Sequence, residues 1–166
     1  DGNVIIDEVK AIKLNNIIYL DDHNKKILDK ITFNFEIGKI NLLYGDSGAG
    51  KSTIFHLLTR YKQPFGGEIF INDLSIVELD LPSFRDKIAL LSQEVVIFNA
   101  SLRDNLTWFN NIKVSDKEIY SIMEKLNLIH LIDDKSFTLE SVISDISETI
   151  SGGEKQRIAL ARCLLC

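Results

Sequence analysis

Nine consecutive residues, Gly45-Asp46-Ser47-Gly48-Ala49-Gly50-Lys51-Ser52-Thr53, carry the chemistry most plainly written in this chain. They fit G-x-x-x-x-G-K-S/T at every specified position. Gly45, Gly48 and Gly50 lack a Cβ, so the backbone can take tight positive-φ turns and press its N–H groups against phosphate oxygens. Lys51 adds a point charge. Ser52 supplies the kind of hydroxyl that holds Mg²⁺ beside β- and γ-phosphates, and Thr53 can cap or back it. Polyphosphate binding is the chemistry implied. The bland alternative is a glycine-rich turn before a core helix.

Such a loop has to be held between a strand and a helix. The apolar run Ile40-Asn41-Leu42-Leu43-Tyr44 is the expected strand. A helix from Ser52 to Tyr61 follows, with Ile54, Phe55, Leu57 and Leu58 inward; its first N–H groups and roughly +0.5 elementary charge face the loop. Upstream, Val4 to Tyr19 is β-like, with Ile12, Leu14, Ile17 and Ile18 as its buried positions. The polar run Asp21 to Lys26 makes a hairpin loop, and Ile31 to Ile37 alternates as a half-buried strand should. An antiparallel β layer therefore comes first.

Downstream, Glu68 to Ile71 reads as a strand closed by the turn pair Asn72-Asp73. Ile88-Ala89-Leu90-Leu91-Ser92-Gln93 reads as a buried strand of the parallel kind. It puts Gln93 at its carboxyl end, where α/β sheets place ligands. Ser101 to Leu106 forms a short helix. Ser115 and Glu118 make a capping box for a helix through about Leu126, striped by Ile119, Ile122, Met123 and Leu126. Asp133 to Thr149 is polar and reads mostly as loop. The fold class is α/β: a mainly parallel sheet, an N-terminal antiparallel β subdomain and a helical layer.

The chain has 166 residues, 45% of them hydrophobic, enough for one core and one domain. A net charge of −5 without a basic block argues against a nucleic-acid surface. No apolar run reaches the ~18 residues of a membrane span, and no charged-then-apolar leader opens the sequence, so a soluble piece is expected. Cys163 and Cys166 have C-x-x-C spacing without a second pair. Packed apolar thiols in a reduced cytoplasmic setting are the expectation.

A second cluster lies at Ile150-Ser151-Gly152-Gly153-Glu154-Lys155-Gln156-Arg157. Ser151 and Glu154 have the S-x-x-E spacing of a capping box, and Gly152 and Gly153 leave the first-turn N–H groups open to an anion. The cluster resembles the LSGGQ signature of the ATP-binding cassette (ABC) family, with Ile150 for Leu and Glu154 for Gln. With the phosphate loop, the resemblance covers nearly the whole chain. It implies ATP and Mg²⁺ as ligands, Tyr19 stacked on adenine, and Gln93 near Mg²⁺ and the attacking water. Lys51 and Gln93 are then the catalytic candidates, and Ser52 and Gln93 the metal candidates.

Within that family the chain looks like the exporter branch. Phe98-Asn99-Ala100-Ser101-Leu102-Arg103-Asp104-Asn105-Leu106 resembles the exporters' segment after Gln93. Ser141 to Ser147 occupies the place of their T-x-V-G-E-x-G loop, with Ser144 and Ser147 for its glycines and Asp145 for its glutamate. In the family that loop contacts membrane domains. The sequence stops at Cys166, where the family continues to a strand carrying an Mg²⁺-binding Asp and a catalytic Glu, and later to a switch histidine. A fragment of a longer polypeptide is the expectation, incomplete at its C-terminus and without the general base. The Ile40 to Tyr44 strand should then lack a neighbour and expose backbone groups.

The resemblance implies an ATPase at the cytoplasmic face of a membrane that powers export. Its partners would be a second ATP-binding domain and the transmembrane domains of the same transporter. A soluble ABC ATPase of translation or DNA maintenance, or a fragment that binds nucleotide without turning it over, are the alternatives.

Overall fold

The computed structural model describes residues 2–107, 114–132, 137–144 and 150–165. The chain packs as two compact units, Asp1–Ile88 and Ala89–Cys166. Instead of the single core expected from composition, buried apolar side chains form two clusters, one around Leu14, Leu57 and Phe84, the other around Leu106, Met123 and Ile158.

In the first unit, β1 (Ile12–Leu20) pairs antiparallel with β2 (Lys26–Phe35) on one side and with β3 (Gly66–Ile71) on the other. β4 (Leu74–Ser75) follows β3, giving the order β2-β1-β3-β4. The polar run after β1 turns because Asp21 Oδ1 accepts from the N–H groups of both His23 and Lys25, at 2.9 Å each. Asn72 and Asp73, both left-handed, give the β3–β4 hairpin its tight turn.

β1 shows why strict alternation misassigns its inner face. Asn16, at φ 51°, is an extra residue in the ladder, so Leu14 and Ile17 both point inward although they are three apart. Beyond the bulge the inward position is Tyr19, while Ile12 and Ile18, expected buried, are half-buried. Gly67 lies opposite with φ +80°. A Cβ there would sit 2.3 Å from the Asn16 carbonyl oxygen, so the bulge and the glycine require one another.

α1 (Lys51–Leu58) buries Ile54 and Leu57. It stops short of the expected Tyr61 because Arg60 turns left-handed at φ 54° and Thr59 Oγ1 donates back to the Phe55 carbonyl at 2.9 Å. Phe55, expected inward, is exposed. α2 (Leu81–Arg85) starts on Asp80, whose Oδ2 accepts the Ser83 N–H at 2.9 Å. Arg85 Nε returns to the Thr59 carbonyl and Arg60 Nη1 to that of Leu79, tying the end of α1 to the start of α2.

The two strands expected to flank the phosphate site differ most from expectation. Residues 40–44 and 88–93 carry no ladder, and Ile40 and Tyr44 are 99% and 86% exposed. Among the described residues no strand lies beside either one, and an extended segment without a neighbour has nothing to pair its N–H and C=O groups. Asn41 holds its own segment instead. Its Oδ1 accepts the Glu36 N–H at 3.0 Å and its Nδ2 donates to the Glu36 carbonyl at 2.9 Å. Parallel pairing among the described residues is confined to a bridge between Val4 and Leu79.

In the second unit β5 (Ala100–Ser101) pairs with β6 (Val142–Ile143), inside the stretch expected to be loop. This pairing joins the Phe98–Leu106 segment to Ser141–Ser144. Asp145 and Ser147 lie outside the described residues. α3 (Leu102–Thr107), α4 (Asp116–Lys125) and α5 (Gly152–Leu165) pack around the second cluster. The capping box at Ser115 and Glu118 forms as expected, and Ile119 and Met123 are buried. Asn105, fully buried, accepts the Phe98 N–H at 2.8 Å and donates to the carbonyls of Phe98 and Ser101. Arg162 on α5 donates to the carbonyls of Asn105 and Val96 and stacks 5.2 Å from the Phe98 ring centroid. Cys163 is half-buried on the same helix; Cys166 lies outside the described residues. Among the described residues no helix is long and apolar enough to cross a membrane.

Candidate functional site

The phosphate loop belongs to the first unit. Gly50 caps α1 in the left-handed conformation at φ 87°, and no side chain occupies the cap, so the first N–H groups of the helix face outward unpaired by a cap. Only glycine fits there. A Cβ would lie 2.7 Å from Leu28 Cδ2 and 3.1 Å from Ile27 Cγ2, so β2 and the loop meet at this point. Lys51 Nζ donates to the carbonyls of Gly45 at 2.7 Å and Asp46 at 2.6 Å. The ammonium thus lies inside the curve of the loop. Asp46, Ser47, Gly48, Ala49 and the Ser52 side chain are exposed, and Thr53 is half-buried. Open N–H groups, an inward ammonium and a free-standing hydroxyl form a donor set that fits a metal-bound triphosphate.

Tyr19 lies across the β1–β2 ladder from Leu28, the residue that meets Gly50. The strand pairing therefore brings it beside the loop, although thirty positions separate the two in sequence. Its ring is only 8% exposed, and the Lys62 ammonium lies 5.1 Å from the ring centroid. Contact with the tyrosine hydroxyl holds the Lys62 pKa above its usual value.

Gln93 and the signature cluster belong to the second unit. Gln93 is exposed in a bend rather than at a strand end, and next to it Ser92 Oγ donates to the Glu94 carbonyl at 2.6 Å. Ile150 is buried in the second cluster and anchors the corner. From there the Ser151 N–H and O–H both donate to Glu154 Oε2, at 2.7 and 2.6 Å, and the Glu154 N–H donates back to Ser151 Oγ at 3.3 Å. The expected capping box is thus present. A Cβ on Gly152 or Gly153 would meet nothing within 4 Å, so both face open space.

These bonds, with a further one from His130, hold the Glu154 carboxyl down at about 2, the Ser151 hydroxyl being the largest cause. The carboxylate therefore stabilises the fold fully above its unfolded value near 4.5, and the contribution disappears as pH falls through about 2. Urea midpoints of wild type and Glu154→Gln should differ by a constant amount above about pH 5 and converge as pH approaches 2. A difference independent of pH would contradict the ionised cap.

Sequence reasoning missed His130, Lys62 and the Asn105–Arg162 pair. His130 and Lys62 act across turns that no periodicity marks. Asn105 and Arg162 did leave a signal, as polar residues at inward positions of apolar helices.

The ABC transporter family model matches residues 28–166 and so spans both units. The heterocyst differentiation ATP-binding protein HepA of Nostoc sp. is 36% identical over 94% of this chain, which covers 26% of that protein. The mitochondrial iron-sulfur clusters transporter ATM1 of Kluyveromyces lactis is also 36% identical, over 93% of this chain and 21% of its own length. A bacterial Atm1-family ABC exporter solved with ATP bound superposes over 99% of this chain with a TM-score of 0.87 and 26% identity, and the chain covers 29% of it. The chain therefore spans less than a third of the relatives it matches. Phosphate loop, signature corner, fold and relatives agree, and the chain belongs to the ABC transporter family.

Proposed function

We propose that this domain binds ATP and that, in a larger membrane protein, pairs of such domains close head to tail on the nucleotide, hydrolyse it and so drive export. The observation that carries the reading is the Lys51 ammonium drawn onto the Gly45 and Asp46 carbonyls beneath an uncapped helix N-terminus. That is a cationic cup with its anion-binding groups already assembled. Each triphosphate lies between Lys51 and Ser52 of one copy and Ser151, Gly152 and Gly153 of the other. Ser52 would hold Mg²⁺, which would neutralise charge building on the β- and γ-phosphates. Gln93 orients the attacking water.

Closure is differential binding. The γ-phosphate completes contacts with both copies, its loss removes them, and the copies part. Membrane domains of the same transporter follow that movement, with this domain on the cytoplasmic face.

Tyr19 supplies the base contact. An aromatic stack contributes about 1–3 kcal/mol per base, while the solvent-exposed Lys62 ammonium that the base displaces from the face of Tyr19 contributes about 0.5–1 kcal/mol, so stacking wins. In the full-length protein Tyr19→Ala should weaken ATP binding about 5- to 30-fold, and Tyr19→Phe, which keeps the ring, should leave it within about twofold. Equal affinity of wild type and Tyr19→Ala in a titration with fluorescent ATP would remove Tyr19 from the site. Absence of saturable ATP binding by the full-length wild type would sink the whole reading.

A further inference from the structure

Glu154 is held at both carboxylate oxygens. Oε2 takes the two Ser151 donors, and Oε1 lies 2.6 Å from His130 Nε2. His130 sits on the short turn Ile129–Leu131 that follows α4, so it reaches the signature corner from a different element. Facing a carboxylate, which can only accept, Nε2 carries the hydrogen and donates. The terminal torsion of a glutamate is soft, and a second, opposed hydrogen bond fixes its plane. With Oε1 held by His130, Oε2 keeps both Ser151 donors, so the corner is fixed with the first-turn N–H groups of Gly152 and Gly153 left open.

The charge matters as much as the aim. The family pattern has a neutral glutamine at this position, whereas Glu154 puts a negative charge beside the corner that a triphosphate approaches. The His130 N–H at Oε1 offsets part of that charge. The Glu154 side chain is 14% exposed and that of His130 52%, so the carboxylate is held against the fold while its partner stays open to solvent, and His130 acts on the geometry and field of the corner.

We propose that His130 is a positioning residue of the signature corner: on the reading that this corner, through Gly152 and Gly153, meets the triphosphate held by a second copy, it sets the ATP concentration at which the two copies close.

Steady-state ATPase assays on the full-length protein test this. His130→Ala should raise KM for ATP about tenfold with kcat within about twofold, the size expected when a mispositioned corner loses one charge-assisted hydrogen bond to phosphate. His130→Gln, whose amide can donate to Oε1, should restore KM to within about twofold. In a Glu154→Gln background, where no carboxylate needs orienting, His130→Ala should shift KM by less than about twofold. His130→Asn, too short to reach Oε1, serves in place of the alanine variant should that fail to fold, and should behave like it. An unchanged KM in His130→Ala, or an equal penalty in the Glu154→Gln background, overturns the proposal. Ser151→Ala in the same assay separates the two levels. If it impairs ATP turnover while His130→Ala does not, His130 alone loses its role; if it has no effect, the signature corner does not meet triphosphate and both readings fall.

Discussion

Lys51→Ala should reduce ATP affinity of the full-length protein by roughly 10²- to 10⁴-fold. Lys51 Nζ makes hydrogen bonds of 2.7 and 2.6 Å to the Gly45 and Asp46 carbonyls, so the ammonium already stands at the centre of the loop. A triphosphate entering the loop takes over N–H groups of an ammonium that is already in place, exchanging them from the carbonyls to its own oxygens. Hydrogen bonds to charged groups contribute about 1.5–3 kcal/mol each, and two of them account for that range. Unfolding cannot mimic the loss. Lys51 is the first residue of α1, at the positive end of the helix, where a cation is unfavourable, and alanine has the best helix propensity. The variant should therefore be at least as stable as wild type. Lys51→Arg keeps the charge, but its rigid planar fork replaces a compact ammonium that fits between two carbonyls, so affinity should recover only in part. Isothermal titration with ATP reads all three proteins, and an affinity for Lys51→Ala within about threefold of wild type would refute the role of the loop.

The features that the sequence made legible are those decided within a few residues. The glycine pattern around Lys51 and the capping boxes at Ser115 and Ser151 depend on neighbours three positions away, and each appears in the structure as written. Contacts set by distant chain were hidden. One extra residue at Asn16 reversed which of Ile18 and Tyr19 points inward, because strand faces change with every single-residue shift. Phe55 fits a helical stripe as well as Ile54 does, but its exposure depends on what packs against α1. Residues 40–44 and 88–93 have the composition of buried strands, yet composition supplies no pairing partner. The candidate site divides in the same way. The residues we assign to phosphate were visible as motifs, whereas His130 reaches Glu154 only through folding of the turn after α4.

Gly153→Asp should abolish most ATP turnover in the full-length protein, by roughly 100-fold, while leaving the fold and the first encounter with ATP intact. A side chain at Gly153 meets no atom within 4 Å, and its backbone is not in the left-handed region, so an L-residue fits without strain. An aspartate in the first turn of α5 is also favourable to that helix, since negative charge suits its N-terminus. Stability and site chemistry therefore move in opposite directions. The new carboxylate would project where the γ-phosphate of a second copy's nucleotide has to come, and like charges brought together at an interface disfavour it by several kcal/mol. About 3 kcal/mol of that corresponds to the loss expected in turnover. The phosphate loop itself is untouched, so ATP affinity at Lys51 should stay within about twofold of wild type. Gly153→Ala, which adds bulk without charge, should retain most activity because the space is open. The contrast between the two substitutions isolates charge from size. If Gly153→Asp hydrolyses ATP at the wild-type rate, no anion approaches the signature corner, and head-to-tail closure is wrong even though Lys51 binds nucleotide.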